Sequence, residues 1–265
     1  MSNQSIPKLL KLKDYITLIG TSLGILALIC AVLNAYTGIR EILSLGFFLI
    51  SISLGTDMID GYIARKTKTM NEMGRELDSL SDSLTFGIAP AILIFQAFRT
   101  ETLYDIFLII GSICFAFGAV LRLARFNISK EPGYTGVPTP ISAYLMIAYF
   151  YTNYFYTYGI GGTTYPFPDI SSYLIPIFMI LIAWFNITTY FKFGEKGKTT
   201  YIVSLIFIFA YPVFGIIGIL TPNVISSLIA TFFFLISFIL IHVYIIRGFI
   251  LQILEKRKGK KDRLR

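Results

Sequence analysis

Long runs of apolar residues are the feature that most limits how this chain can fold. Hydrophobic residues make up 55% of its 265 residues, and charged residues only 14%. A helix of about 20 apolar residues crosses a bilayer with its backbone hydrogen bonds satisfied internally. The sequence therefore predicts an all-α polytopic membrane protein with eight transmembrane helices. We place them at Tyr15–Ala35, Glu41–Arg65, Arg75–Phe98, Leu103–Phe126, Pro138–Tyr158, Ile170–Tyr190, Thr200–Leu220 and Asn223–Ile250.

Basic residues between the apolar runs predict the orientation of this bundle. They cluster before the first run, after the second, fourth and sixth runs, and at the end of the chain, whereas the loops on the other side hold only Arg40 and Arg99. Because basic loops stay on the cytoplasmic side, we expect a protein of the cytoplasmic membrane with both termini at its cytoplasmic face. The net charge of +8 then reflects contact with anionic lipid headgroups, and we expect no nucleic acid partner.

The chain divides into one membrane domain and two short ends. We expect residues 1–14 to form a cytoplasmic or interfacial segment, residues 15–254 the transmembrane domain, and residues 255–265 a basic cytoplasmic tail. Ile6–Asp14 mixes leucines with lysines. That composition fits a short interfacial helix and an unstructured basic leader equally well.

Four aspartates lie within the apolar sequence, where a buried charge is costly and usually marks a function. Asp57 and Asp60 stand at i, i+3 near the end of the second helix, and Asp78 and Asp82 at i, i+4 near the start of the third. Each pair therefore lies on one helix face, and a short loop brings the two helix ends together at the cytoplasmic membrane edge. Converging carboxylates favour hard divalent cations. With Arg65 nearby, the pattern indicates a diphosphate-containing lipid substrate, and a purely structural ion-pair cluster is the alternative.

The spacing of these residues resembles the signature of the CDP-alcohol phosphatidyltransferase family. All eight fixed positions match, in the order Asp57-x2-Asp60-Gly61-x2-Ala64-Arg65-x8-Gly74-x3-Asp78-x3-Asp82. The resemblance implies a six-helix core, to which this chain adds a C-terminal helix pair, and a homodimer.

Three flanking segments resemble the phosphatidylserine synthase branch of that family, which includes archaeal archaetidylserine synthases. These are Leu77–Ala91, Arg122–Asn127 and Gly136–Pro140. The resemblance implies transfer of a phosphatidyl or archaetidyl group from CDP-diacylglycerol or CDP-archaeol to L-serine, with release of CMP. The sequence does not discriminate between diacyl and archaeal ether lipid tails.

The same resemblance implies roles for the motif residues. Asp57, Asp60 and Asp78 would hold one divalent ion, Mg²⁺ or Mn²⁺, and Asp78 and Asp82 would contribute to a second. Asp82 would also be the general base for the serine hydroxyl, which is a weak nucleophile at neutral pH. The expected CDP-lipid-binding residues are Asp57, Gly61, Ala64, Arg65 and Gly74.

Serine also brings a carboxylate, which calls for an arginine. Arg122 and Arg125 stand at i, i+3 near the cytoplasmic end of the fourth helix, and Asn127 follows them. We expect these three residues to bind serine. The alternative is that the two arginines only anchor the helix end on the cytoplasmic side.

Two other functions fit parts of the pattern. A related transferase could use glycerol phosphate, inositol phosphate or another small alcohol as its acceptor, because the aspartate motif alone does not fix the acceptor. Intramembrane aspartates also occur in cation-coupled transporters and channels. The positions of the aspartates at one membrane edge and the absence of an inverted repeat in the sequence argue against a transporter.

Overall fold

Helices dominate the computed structural model, which describes residues 9–67, 71–129, 134–162, 164–190, 192–193, 210–220 and 223–262. Within those ranges, eight helices confirm the predicted all-helical architecture. They are α1 Leu12–Thr37, α2 Arg40–Thr67, α3 Glu72–Phe98, α4 Asp105–Ile128, α5 Thr139–Gly161, α6 Asp169–Ile187, α7 Ala210–Ile219 and α8 Val224–Asp262. Two short strands, β1 Tyr134–Thr135 and β2 Lys192–Phe193, pair antiparallel beside them.

The helix boundaries lie within a few residues of those predicted, with two differences. The first ten residues of the predicted seventh helix, 200–209, lie outside the described residues, as do residues 1–8 of the predicted N-terminal segment. The backbone of α8 continues as a helix to Asp262, so it includes most of the predicted basic tail.

Six helices are long and apolar enough to cross a membrane by length and composition, namely α1, α2, α3, α4, α6 and α8. Helix α5 has 23 residues but is not among them. It is the most thoroughly buried helix of the described part, and neighbouring helices enclose four of its tyrosines, Tyr144, Tyr149, Tyr151 and Tyr154. A polar helix is stable in this position because its side chains find partners inside the protein.

The tyrosines of α5 bond to three other helices. The hydroxyl groups of Tyr149, Tyr151 and Tyr154 donate to the backbone oxygens of Ser171, Ser44 and Gly218 at 2.7, 2.8 and 2.7 Å. These oxygens belong to α6, α2 and α7. Each aromatic ring therefore combines a buried apolar surface with a satisfied polar end, and α5 becomes the centre of the bundle.

Helices α4 and α6 pack through small residues. A Cβ added to Gly118 would lie 2.7 Å from the Cα of Ala183, and one added to Gly111 would lie 2.9 Å from the Cα of Pro176. Because these nearest atoms are backbone, no side-chain rotation could relieve the contact. The two glycines are seven residues apart and lie on the same face of α4. They therefore set the distance between the two helices.

We expect Gly118→Ala to destabilise the protein by about 1–3 kcal/mol, because α4 and α6 must separate to admit the methyl group. Thermal unfolding in detergent would measure the loss. Gly159→Ala is the matched control, since its added Cβ would have its nearest neighbour at 3.5 Å, an ordinary contact. Equal unfolding temperatures for the two variants would contradict this account of the packing.

Candidate active site

Three carboxylates converge where the ends of α2 and α3 meet. Asp57 and Asp60 come from α2 and Asp78 from α3, and one carboxylate oxygen of each lies within 4.8 Å of the others. Asp60 is buried, and the other two are half-buried. The convergence predicted from the i, i+3 and i, i+4 spacings therefore holds for these three residues.

Asp82 lies on the same cleft but outside that group of three. The cleft is also lined by small polar residues of three helices: Thr17, Ser53, Thr56 and Ser81. Asp82 ends the regular α-helical part of α3, and a π-helical turn follows it at Ser83–Ile88. Such turns occur often at functional sites because they change the direction of the side chains that follow. Phe86, within this turn, lines the cleft.

Helix α1 forms the third wall of the site, which the sequence analysis did not anticipate. The hydroxyl of Thr17 donates to Oδ2 of Asp60 at 2.7 Å, and the hydroxyl of Thr21 donates to Oγ of Ser81 at 2.7 Å. The hydroxyl of Ser53 in α2 donates to the backbone oxygen of Gly20 at 3.1 Å. A polar stripe at helical spacing within a strongly apolar helix was the available signal, and it was missed.

The donor set fits an oxygen-preferring divalent cation. Three carboxylates at mutual distances below 4.8 Å repel one another strongly unless positive charge lies between them. Carboxylate oxygen is the ligand type that Mg²⁺ and Mn²⁺ prefer. The hydrogen bond from Thr17 fixes the orientation of one of the three carboxylates, as hydrogen bonds to metal-binding carboxylates commonly do.

The remaining motif residues continue the aspartate face of α2 or pack beside it. Ala64 is buried, whereas Arg65 is exposed and folds back along the helix, so that a Cβ added to Gly61 would lie 3.5 Å from its Nη1. Gly74 is buried in the first turn of α3. Its backbone N–H donates to Oδ1 of Asn71, which caps that helix, at 2.8 Å.

The three predicted serine-binding residues occupy different environments. Arg122 is buried, donates from Nη1 to Oγ1 of Thr139 at 3.4 Å, and lies close enough to Asp82 for their charges to interact. Arg125 has different partners. Its guanidinium donates to the backbone oxygens of Thr135, Asn186 and Ile187 and thereby ties α4 to β1 and to the end of α6.

Asn127 also makes contacts within the bundle. Its Oδ1 accepts a hydrogen bond from Oγ of Ser79 at 2.9 Å, and its Nδ2 donates to Oε2 of Glu76 at 3.0 Å. Both partners belong to the first part of α3, one and two residues from Asp78. The structure therefore brings Arg122 near Asp82 and gives Arg125 and Asn127 bonds that connect helices.

A sequence profile of the CDP-alcohol phosphatidyltransferases matches residues 11–191, more than half of the chain. The chain belongs to the CDP-alcohol phosphatidyltransferase family. The matched region contains every helix that contributes a residue to the aspartate cleft, from α1 to α3. The family resemblance inferred from the eight motif positions is confirmed.

Several proteins similar to this CDP-alcohol phosphatidyltransferase carry names that specify a reaction. A CDP-diacylglycerol–serine O-phosphatidyltransferase of Methanocaldococcus jannaschii is 38% identical over 145 residues, 55% of this chain and 63% of the relative. An archaetidylserine synthase of Methanothermobacter thermautotrophicus is 30% identical over 159 residues, 58% of this chain and 64% of the relative. A CDP-diacylglycerol–serine O-phosphatidyltransferase of Bacillus subtilis is 33% identical over 129 residues, 47% of this chain and 70% of the relative. The matched segments thus span less than two thirds of both archaeal relatives.

Proposed function

We propose that this protein transfers a phosphatidyl or archaetidyl group from a CDP-linked lipid to L-serine and releases CMP. The observation that carries this proposal is the group of three carboxylates on a cleft that also contains Asp82, at the motif positions of the family. The named relatives support serine as the acceptor.

Asp57, Asp60 and Asp78 would hold a divalent ion, and Asp78 with Asp82 could contribute to a second. A bound Mg²⁺ or Mn²⁺ would neutralise the diphosphate and make the attacked phosphorus more electrophilic. Thr17 keeps the Asp60 carboxylate in place through its 2.7 Å hydrogen bond. The protein's contribution is therefore a fixed geometry that needs little rearrangement when substrate binds.

Asp82 is the group that we assign to proton transfer. Its carboxylate accepts the proton of the serine hydroxyl as the serine oxygen forms a bond to the lipid-side phosphorus. The bond between that phosphorus and the bridging oxygen of CMP breaks, and CMP leaves with the electron pair. Asp82 lies on the same cleft but outside the group of three carboxylates, so it could accept a proton while those three hold the first ion.

The CDP-lipid is expected to lie along the face of α2 that continues beyond the aspartates. Gly61 and Ala64 have small side chains, which leave room for a ligand beside the helix, and the exposed guanidinium of Arg65 can pair with a phosphate. The lipid tails would extend into the bilayer. We place the cleft at the cytoplasmic face of the cytoplasmic membrane, with both chain termini on that side, and we expect a homodimer.

The proposal is tested by CMP release in detergent micelles with added Mn²⁺ or Mg²⁺. We expect release from CDP-diacylglycerol or CDP-archaeol to require serine and a divalent ion. Release that needs no serine, or none with any acceptor, would refute the assignment. Glycerol 3-phosphate and inositol phosphate in parallel reactions identify a related transferase with another acceptor.

Arg122 and Arg125 make a matched pair for testing serine recognition. We expect Arg122→Ala to raise KM for serine about tenfold or more, with a smaller change in KM for CDP-lipid, because a charged hydrogen bond to the serine carboxylate is lost. Arg125→Ala should instead lower the unfolding temperature, since its guanidinium bonds three backbone oxygens. Steady-state kinetics and thermal unfolding of both variants check this, and identical kinetic effects would remove Arg122 from the serine site.

A further inference from the structure

Lys13 is a buried cation beside the aspartate cleft. Only 7% of its surface is exposed, which is rare for a lysine. Its Nζ lies 2.9 Å from Oδ1 of Asp14, whose side chain is completely buried. Both residues lie at the start of α1, one turn before Thr17, which bonds Asp60. The mechanism proposed above does not use either residue.

The surroundings of Lys13 hold its ammonium group in a defined position. A Cβ added to Gly74 would come within 2.4 Å of the Lys13 Nζ and 2.5 Å of Oδ1 of Asp14. Asn71 donates from Nδ2 to the backbone oxygen of Leu9 at 3.1 Å, which fastens the residues before α1 to the loop before α3. The absence of a side chain at Gly74 therefore leaves the space that the ammonium occupies.

Two buried cations, Lys13 and Arg122, lie near the carboxylates at this end of the bundle. Lys13 acts on Asp60 and Asp78, and Arg122 acts on Asp82. Lys13 thus faces the half of the cleft that contains the group of three carboxylates.

We propose that Lys13 is a positioning residue whose ammonium offsets the charges of Asp60 and Asp78 before a divalent ion binds. This inference rests on the proposed metal site. A resident positive charge stabilises the metal-free state of the cleft, and the same charge repels an incoming cation. By linkage, if removal of that charge tightens metal binding, it must destabilise the metal-free protein more than the metal-bound protein, by the free energy of the affinity change.

Lys13→Met tests this inference without any measurement of turnover. We expect its unfolding temperature in EDTA to fall by about 3 °C or more. We expect its Mn²⁺ affinity, measured by calorimetric titration or by the paramagnetic resonance of free Mn²⁺, to rise about threefold or more. Excess Mn²⁺ should therefore restore part of the lost unfolding temperature. Lys11→Met is the matched control, because Lys11 is exposed two residues earlier, and both of its values should equal those of the wild type.

Asp14→Asn is the complementary variant and keeps the proposal falsifiable if Lys13→Met does not fold. It removes a negative charge and retains the ammonium, so its Mn²⁺ affinity should fall.

Two results for Lys13→Met would overturn the inference. The first is an unchanged Mn²⁺ affinity with a loss of unfolding temperature that is equal with and without Mn²⁺, which would show that Lys13 only packs. The second is an unchanged Mn²⁺ affinity with a raised KM for CDP-lipid, which would make Lys13 a phosphate ligand. If the wild-type protein binds no Mn²⁺, the metal site itself is refuted. This result distinguishes failure of the proposed function from failure of the inference about Lys13.

Discussion

Replacement of Asp82 by asparagine is expected to reduce turnover by at least about 100-fold while binding of the CDP-lipid remains measurable. Asparagine has nearly the shape of aspartate but cannot accept the proton of the serine hydroxyl. Because Asp82 lies outside the group of three carboxylates, the group should still form, and a bound ion should still hold the diphosphate. Single-turnover CMP release and equilibrium binding of CDP-lipid in the same detergent measure the two quantities separately.

Asp169→Asn is the control for this substitution. Asp169 is an exposed aspartate in the first turn of α6, and its conversion to asparagine should leave turnover near that of the wild type. Turnover by Asp82→Asn within about tenfold of the wild type would remove Asp82 as the general base. Loss of CDP-lipid binding in the same proportion as turnover would instead assign Asp82 to substrate binding.

Asp60→Asn is expected to abolish the stabilisation of the protein by Mn²⁺ and, with it, nearly all turnover. Asp60 is the most buried member of the group of three, and its replacement removes one of three charged ligands. Thr17→Val should give an intermediate result, with Mn²⁺ affinity about tenfold weaker, because the ligand remains but loses its orienting hydrogen bond. Mn²⁺ titration followed by thermal unfolding measures both variants.

Thr37→Val provides the comparison for Thr17→Val at the other end of α1. The Thr37 hydroxyl is exposed and bonds the backbone oxygen of Leu33, so its loss should not change Mn²⁺ affinity. Wild-type Mn²⁺ affinity in Asp60→Asn would exclude Asp60 as a ligand. Equal Mn²⁺ affinity in the two threonine variants would show that the bond from Thr17 does not support the site.

The membrane helices could be predicted from sequence because each apolar run has a physical minimum length. The convergence of Asp57, Asp60 and Asp78 could be predicted as well, since helical spacing fixes which side chains share a face. The position of α5 at the centre could not, because the pattern of a helix does not identify the helices that surround it. The hydrogen-bond acceptors of its tyrosines belong to α2, α6 and α7, which lie far away in sequence.

The contribution of α1 to the site required the structure for a similar reason. Lys13 is one of the basic residues that predicted how the bundle is oriented in the membrane, and Thr17 was assigned no role. The motif that identified the family begins only at Asp57. Arg122 and Arg125 were indistinguishable in sequence, yet they have different partners. Side chains three residues apart share one helix face, so the sequence alone does not tell which arginine is directed to Asp82 and which to backbone oxygens.

The burial of α5 also bears on how the chain enters the membrane during synthesis. Tyr149 and Tyr154 bond backbone oxygens of Ser171 and Gly218, which the ribosome adds after α5 is complete. Until those residues emerge, the two phenol groups lack their final acceptors, and unsatisfied polar groups are costly in hydrocarbon. Helix α5 should therefore remain at the insertion machinery or beside earlier helices, and it should leave for its final position only with α6 and α7. Chains that end before α7 would lack the acceptor of Tyr154. The centre of the bundle therefore needs the last fifth of the chain, from Ala210 onward, to complete its hydrogen bonds.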